Sequence, residues 1–95
     1  MVSYPDYVKP NFWFYALRFS SKKLKEDVVK RLDQIGIQVR PMWPPNHLQK
    51  PYSNYNSENL EISEKYWDVT INLPCSVGMT KEDIKKVCSV IKDFK

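Results

Sequence analysis

Glycine is scarce in this chain: Gly36 and Gly78 are the only two among 95 residues. A loop that cradles phosphate with backbone amides needs several glycines, so neither a P-loop nor a dinucleotide fingerprint exists. Histidine occurs once, at His47, and cysteine twice, at Cys75 and Cys88, without Cys-x-x-Cys spacing. One imidazole and two separated thiols do not make a metal shell. Cys88 falls on an expected apolar helix stripe, so the sequence reads as two reduced thiols in a reducing compartment. No apolar run approaches the length of a bilayer span, and the N-terminus lacks the basic-then-apolar layout of a secretory signal. A cytoplasmic chain without a membrane partner is the resulting expectation. His47 has no Cys, Ser or carboxylate beside it in a nucleophile pattern, and paired carboxylates at useful spacing are missing, so a stand-alone hydrolase is not supported.

What is present suits one small folded domain. Ninety-five residues leave room for a single modest core, and a hydrophobic fraction of 42% is enough to build it. The net charge of +4 raises the question of a nucleic-acid partner, which the placement of the charge answers. Lys22, Lys23, Lys25, Lys30 and Arg31 are interleaved with Glu26, Asp27 and Asp33. Lys81, Lys85, Lys86 and Lys92 alternate in the same way with Glu82, Asp83 and Asp93. Mixed-sign helix faces of this kind are solvated surface, not a single-sign stripe for phosphates.

Residues 1–10, with Pro5 and Pro10, read as an extended lead-in. Phe12 to Phe19 is dense in aromatic strand formers on both faces, and a strand apolar on both sides asks for a second covering surface. Ser21 is placed to cap a helix from Lys22 to about Ile35 with Leu24, Val28, Leu32 and Ile35 on one stripe, and Gly36 supplies a left-handed stop. Ile37 to Arg40 reads as a second strand ended by Pro41. Ser57 is expected to cap a helix through about Trp67 that packs through Leu60, Ser63 and Trp67. Val69 to Leu73 is a third strand, and Thr80 with Asp83 three residues on opens a last helix whose apolar face is Ile84, Val87, Cys88, Ile91 and Phe94. This order predicts an α+β fold: a small, mainly antiparallel three-stranded sheet with helices on one face.

Between the second strand and the second helix lies the loop of greatest chemical interest. Pro41, Pro44, Pro45 and Pro51 stiffen it, so Arg40, Trp43, His47, Lys50 and Tyr52 are presented on a semi-rigid backbone. Cation, imidazole and flat rings together suit an anionic, ring-containing ligand such as a nucleotide or sugar phosphate. A rigid connector with scattered polar residues is the plainer reading. A binding module for RNA or protein is the class-distinct alternative, since an aromatic strand in a small basic α+β domain fits one. The glycine-containing aromatic signature of the usual RNA-recognition strand is missing, however.

Taken in order, several stretches give the chain a family likeness. They are Asn11-Phe12-Trp13-Phe14-Tyr15, Gly36-Ile37, Arg40-Pro41-Met42-Trp43, His47 followed by Lys50-Pro51-Tyr52, Glu64-Lys65-Tyr66-Trp67, Asn72-Leu73-Pro74-Cys75-Ser76 and Met79-Thr80-Lys81-Glu82-Asp83-Ile84. Over about residues 11–93 the chain resembles the C-terminal segment of the DegT/DnrJ/StrS-type family of pyridoxal-phosphate-dependent nucleotide-sugar aminotransferases. Its Arg-Pro-Met-Trp wording is most similar to the branch serving legionaminic-acid-type surface sugars. The resemblance implies a small C-terminal domain over residues 11–95, of the fold-type-I aminotransferase kind, closing on an active site built mainly by a large domain upstream. Pyridoxal phosphate would be held by a lysine of that large domain and not by this chain, which would carry no catalytic residue and be inactive alone. The amino group would pass, usually from glutamate, to a keto nucleotide sugar for surface polysaccharide, in an enzyme that is a homodimer when full length. Carried over by position, Arg40 and His47 would meet phosphate or sugar oxygens of the nucleotide-sugar substrate, and Trp43 and Tyr52 would cover its rings. No nucleic acid is implied, and Cys75 receives no role.

Overall fold

A computed structural model of the chain describes residues 4–94. Its regular elements are β1 (Ala16–Arg18), α1 (Lys22–Gln34), β2 (Arg40–Pro41), α2 (Glu61–Val69), β3 (Thr70–Asn72) and α3 (Lys81–Lys92), with two short 3-10 turns between β2 and α2. The expected α+β architecture is present. The sheet runs in the order β1-β3-β2, so the last strand in sequence lies in the middle, antiparallel to both neighbours. Leu17 faces Ile71 in one ladder, and Pro41 faces Ile71 in the other. Proline has no N–H to give, and β2 occupies an edge where one is not required.

α1 begins and ends as its sequence dictates. The Ser21 hydroxyl oxygen accepts from the Leu24 amide at 3.2 Å. At the other end Gly36 adopts φ 75°, and the amides of Gly36 and Ile37 donate back to the carbonyls of Asp33 and Leu32, both at 2.9 Å. That double bond is a Schellman closure, which needs a residue tolerant of left-handed backbone at the glycine position. From the stripe between these ends, Val28 and Leu32 are fully buried and meet Ile71 of β3 and Val87 of α3 as the apolar core. α1 packs against α2 and α3, and α2 packs against β3. α3 opens with a complete capping box between Thr80 and Asp83.

Four expectations need correction. The first strand is three residues long, not eight, because Phe12 takes a left-handed φ of 53° and Asn11 closes a turn by accepting from the Trp13 amide. Phe12, Trp13 and Tyr15 are exposed, so the segment is an aromatic arm rather than a strand buried on both faces. β2 is shifted to Arg40–Pro41, leaving 37–39 unpaired. α2 starts at Glu61 and not after Ser57; Asn59 accepts from the Glu61 amide there, and Ser57 lies in irregular chain. The apolar face of α3 is only partly core. Val87 is buried, whereas Ile84 and Cys88 are exposed and line an apolar groove with Phe12, Tyr15 and Met79. Both cysteines are free thiols.

Candidate functional site

The proline-rich loop folds into two successive 3-10 turns, Asn46–Leu48 and Lys50–Tyr52. The amides of Leu48 and Tyr52 close them onto the carbonyls of Pro45 and Gln49. Gln49 ties the first turn down by donating to the Pro44 carbonyl at 3.0 Å and to Asn46 Oδ1 at 3.2 Å. Two further bonds fasten the loop to α2. The Trp67 indole N–H donates to the Met42 carbonyl at 3.0 Å, and His47 Nε2 lies 2.7 Å from Glu64 Oε1. The imidazole is largely covered, with 15% of its side chain exposed against 47% for Glu64.

These contacts leave an open cavity of about 610 Å³ between loop and helix. His47, Tyr52, Tyr55, Asn56, Ser57 and Ser63 are among the side chains that line it. Tyr52 and Tyr55 stand 6.4 Å apart at an interplanar angle of 53°, offering two flat apolar faces beside an imidazole and several hydroxyl and amide groups. Such a wall can cover a ring and exchange hydrogen bonds with its substituents.

Of the four residues singled out from sequence, His47 and Tyr52 come together in this cavity. Arg40 is placed elsewhere, beside a second cavity of about 280 Å³ with Phe14, Asn72 and Ser76. Trp43 is 63% exposed and packs edge-on against Phe14, ring centres 5.2 Å apart. Arg40 and Trp43 thus share Phe14 as a neighbour, apart from the residues around His47. Two members of the His47 cluster escaped the sequence reading, Tyr55 and Glu64. The signal for Glu64 was its position three residues before Trp67, which puts both side chains toward the same side of α2.

Charge pairs flank the helices away from this cavity. Lys22 Nζ lies 3.0 Å from Asp68 Oδ1, and the hydrogen bond and charge of that carboxylate hold the ammonium above the usual lysine range. The Arg18 guanidinium sits 4.9 Å from the centre of the Tyr66 ring. No group of three or more His, Cys, Asp or Glu side chains placed to hold a metal ion occurs among the described residues. No described helix is long and apolar enough to cross a membrane.

A small α+β domain with a stiff loop pinned to a helix, and an open cavity between the two, is what fold and site define. Over residues 3–92 the sequence matches the model of the DegT/DnrJ/EryC1/StrS aminotransferase family, and the chain belongs to that family. It is 33% identical over 82 residues to the GDP-perosamine synthase of Caulobacter vibrioides, a match covering 84% of this chain and 22% of that protein. It is 31% identical over 64 residues to the dTDP-3-amino-3,6-dideoxy-alpha-D-galactopyranose transaminase of Aneurinibacillus thermoaerophilus, covering 66% of this chain and 18% of the relative. The chain spans about a fifth of the length of these curated relatives.

The described residues do not fit pyridoxal phosphate, the cofactor associated with this family. A lysine facing a cavity with an aromatic cover and a carboxylate for the ring nitrogen is the minimum set. The His47 cavity has no lysine in its wall, and the cavity that Lys25 and Lys30 border has no aromatic residue.

Proposed function

We propose that this chain serves as the small, substrate-facing domain of a pyridoxal-phosphate-dependent aminotransferase. The enzyme would transfer an amino group, usually from glutamate, to a keto nucleotide sugar used for surface polysaccharide. In this reading the cofactor lysine belongs to a large domain in the complete, homodimeric enzyme, and the 95-residue chain does not transaminate alone. The chain's own task is to bind and orient the nucleotide sugar. His47 exchanges hydrogen bonds with sugar or phosphate oxygens, and Tyr52 covers a ring. Arg40 and Trp43, next to Phe14, contact a more distant part of the substrate or the large domain.

The observation that carries this reading is the convergence of His47, Tyr52 and Tyr55 on one cavity in a chain whose family membership extends over residues 3–92. The share of the relatives that it spans, near a fifth, supports assigning the cofactor chemistry to other residues. The exposed aromatic arm of Phe12, Trp13 and Tyr15 supports a covering partner such as the large domain.

The test is an amino-transfer assay on the purified chain supplied with pyridoxal phosphate, glutamate and a panel of keto nucleotide sugars, alongside the complete enzyme. No product from the chain is expected, and turnover by it would refute the division of labour. In the complete enzyme, His47→Ala and Tyr52→Ala are each expected to raise the sugar-nucleotide KM about tenfold, the equivalent of one lost hydrogen bond or ring contact. Unchanged KM in both would remove the substrate from this cavity.

A further inference from the structure

Glu64 lies on α2, 17 residues from His47 in sequence, yet its Oε1 is 2.7 Å from His47 Nε2. Its amide donates to the Leu60 carbonyl in the first turn of the helix, where a carboxylate is favoured by the helix dipole. A carboxylate only accepts hydrogen bonds, so in this pair the imidazole nitrogen must be the donor. In the neutral ring the proton then resides on Nε2, and Nδ1 carries a bare lone pair.

We propose that Glu64 is the positioning residue of the cavity: it fixes His47 in the Nε2–H tautomer, so that the nitrogen offered to a ligand is an acceptor, suited to a hydroxyl group. The inference rests on the reading of this cavity as the nucleotide-sugar site, and it narrows the role of His47 there. An acceptor nitrogen selects a sugar hydroxyl over a phosphate oxygen, because an ionised phosphate has no proton to give. The two tyrosine faces then supply the apolar cover that a sugar ring takes. Specificity at this point comes from an unsatisfied acceptor, which penalises a deoxygenated or epimeric substrate that cannot donate.

His47 is the sole histidine, so a chain labelled with 15N-histidine gives one imidazole whose two nitrogens report the tautomer without assignment. At a pH where the ring is neutral, the wild type is expected to show a protonated Nε2 and a bare Nδ1. Glu64→Gln, whose amide oxygen still accepts, is expected to keep that pattern. Glu64→Ala is expected to lose it and move toward the mixture of tautomers of a free imidazole. Addition of GDP-mannose is expected to shift Nδ1 in the wild type and in Glu64→Gln, GDP alone is expected to leave it in place, and Glu64→Ala is expected to respond several-fold more weakly. A wild-type ring protonated at Nδ1, or the same tautomer pattern in wild type and Glu64→Ala, would overturn the proposal. A fixed Nε2–H tautomer that ignores GDP-mannose would uphold the positioning by Glu64 and count instead against the nucleotide-sugar reading of the cavity.

Discussion

The Trp67 indole N–H donates to the Met42 carbonyl across 25 residues of sequence, joining the second helix to the start of the proline-rich loop. This bond and the His47–Glu64 pair lie on the same helix one turn apart, so the loop is held at two points. Trp67→Phe keeps an aromatic ring at the position but removes the donor, leaving the Met42 carbonyl without it. A loss of about 1 kcal/mol is expected from urea unfolding. An unchanged midpoint would mean that the second fastening alone holds the loop.

The apolar interior rests on few residues, since Val28, Leu32, Ile71 and Val87 are the buried hydrophobic side chains among the described residues. Leu32→Ala removes the largest share of that interior and is expected to cost roughly 3 kcal/mol by circular-dichroism-monitored denaturation. A domain with stability of only several kcal/mol is then close to unfolding in buffer. Ile84→Ala, at a half-exposed position of α3, serves as the control and should cost far less.

Gly36 has open space around its missing Cβ, so only its φ of 75° opposes a side chain. Gly36→Ala is expected to destabilise by about 1 kcal/mol, the strain of left-handed backbone. Gly36→Asn should cost less, because asparagine tolerates that region. Gly78→Ala meets nothing within 4 Å and has no such φ, and its thermal midpoint should match the wild type.

Two surface pairs give stability opposite pH limits. The Thr80 backbone amide, and then the Thr80 hydroxyl, hold the Asp83 carboxyl below the usual carboxylate range. Its contribution is therefore present above that range and lost as pH falls through the lowered value. Lys22 is raised by Asp68, so its contribution is present below the usual lysine range and lost as pH rises through the raised value. Urea midpoints across pH should show Asp83→Asn flattening the acid limb and Asp68→Asn the alkaline one. Both effects should be small and shrink with salt, since these groups are exposed. A variant that alters the opposite limb would disprove the assignment.

Local rules made much of this fold readable. The Ser21 cap, the Gly36 closure and the Thr80–Asp83 box each depend on residues within five positions of one another, and all three stand where the sequence put them. Strand lengths were not readable, because pairing partners lie 30 to 56 residues apart, as Pro41 with Ile71 and Ala16 with Asn72 do. Aromatic richness around Phe12 looked like strand propensity, and the Asn11 turn overrode it. In the candidate site, the loop and His47 were visible through proline spacing and the rarity of histidine. Glu64 and Tyr55 were not, because their closeness to His47 is created by the fold; the spacing of Glu64 from Trp67 puts it on one side of the helix without naming the partner it meets there.

The position of β3 has a consequence for synthesis. β1 and β2 do not touch as a sheet pair; each waits for Thr70–Asn72 to arrive between them. A nascent chain emerging from the ribosome therefore exposes two open strand edges and a cluster of aromatic side chains until most of its length has been made. Before then only local structure, such as α1 with its two caps and the start of α2, has its partners in hand, and the sheet closes through late non-local pairing. Products broken off before Thr70 would keep both edges bare and should be the species that chaperones and proteases meet most often.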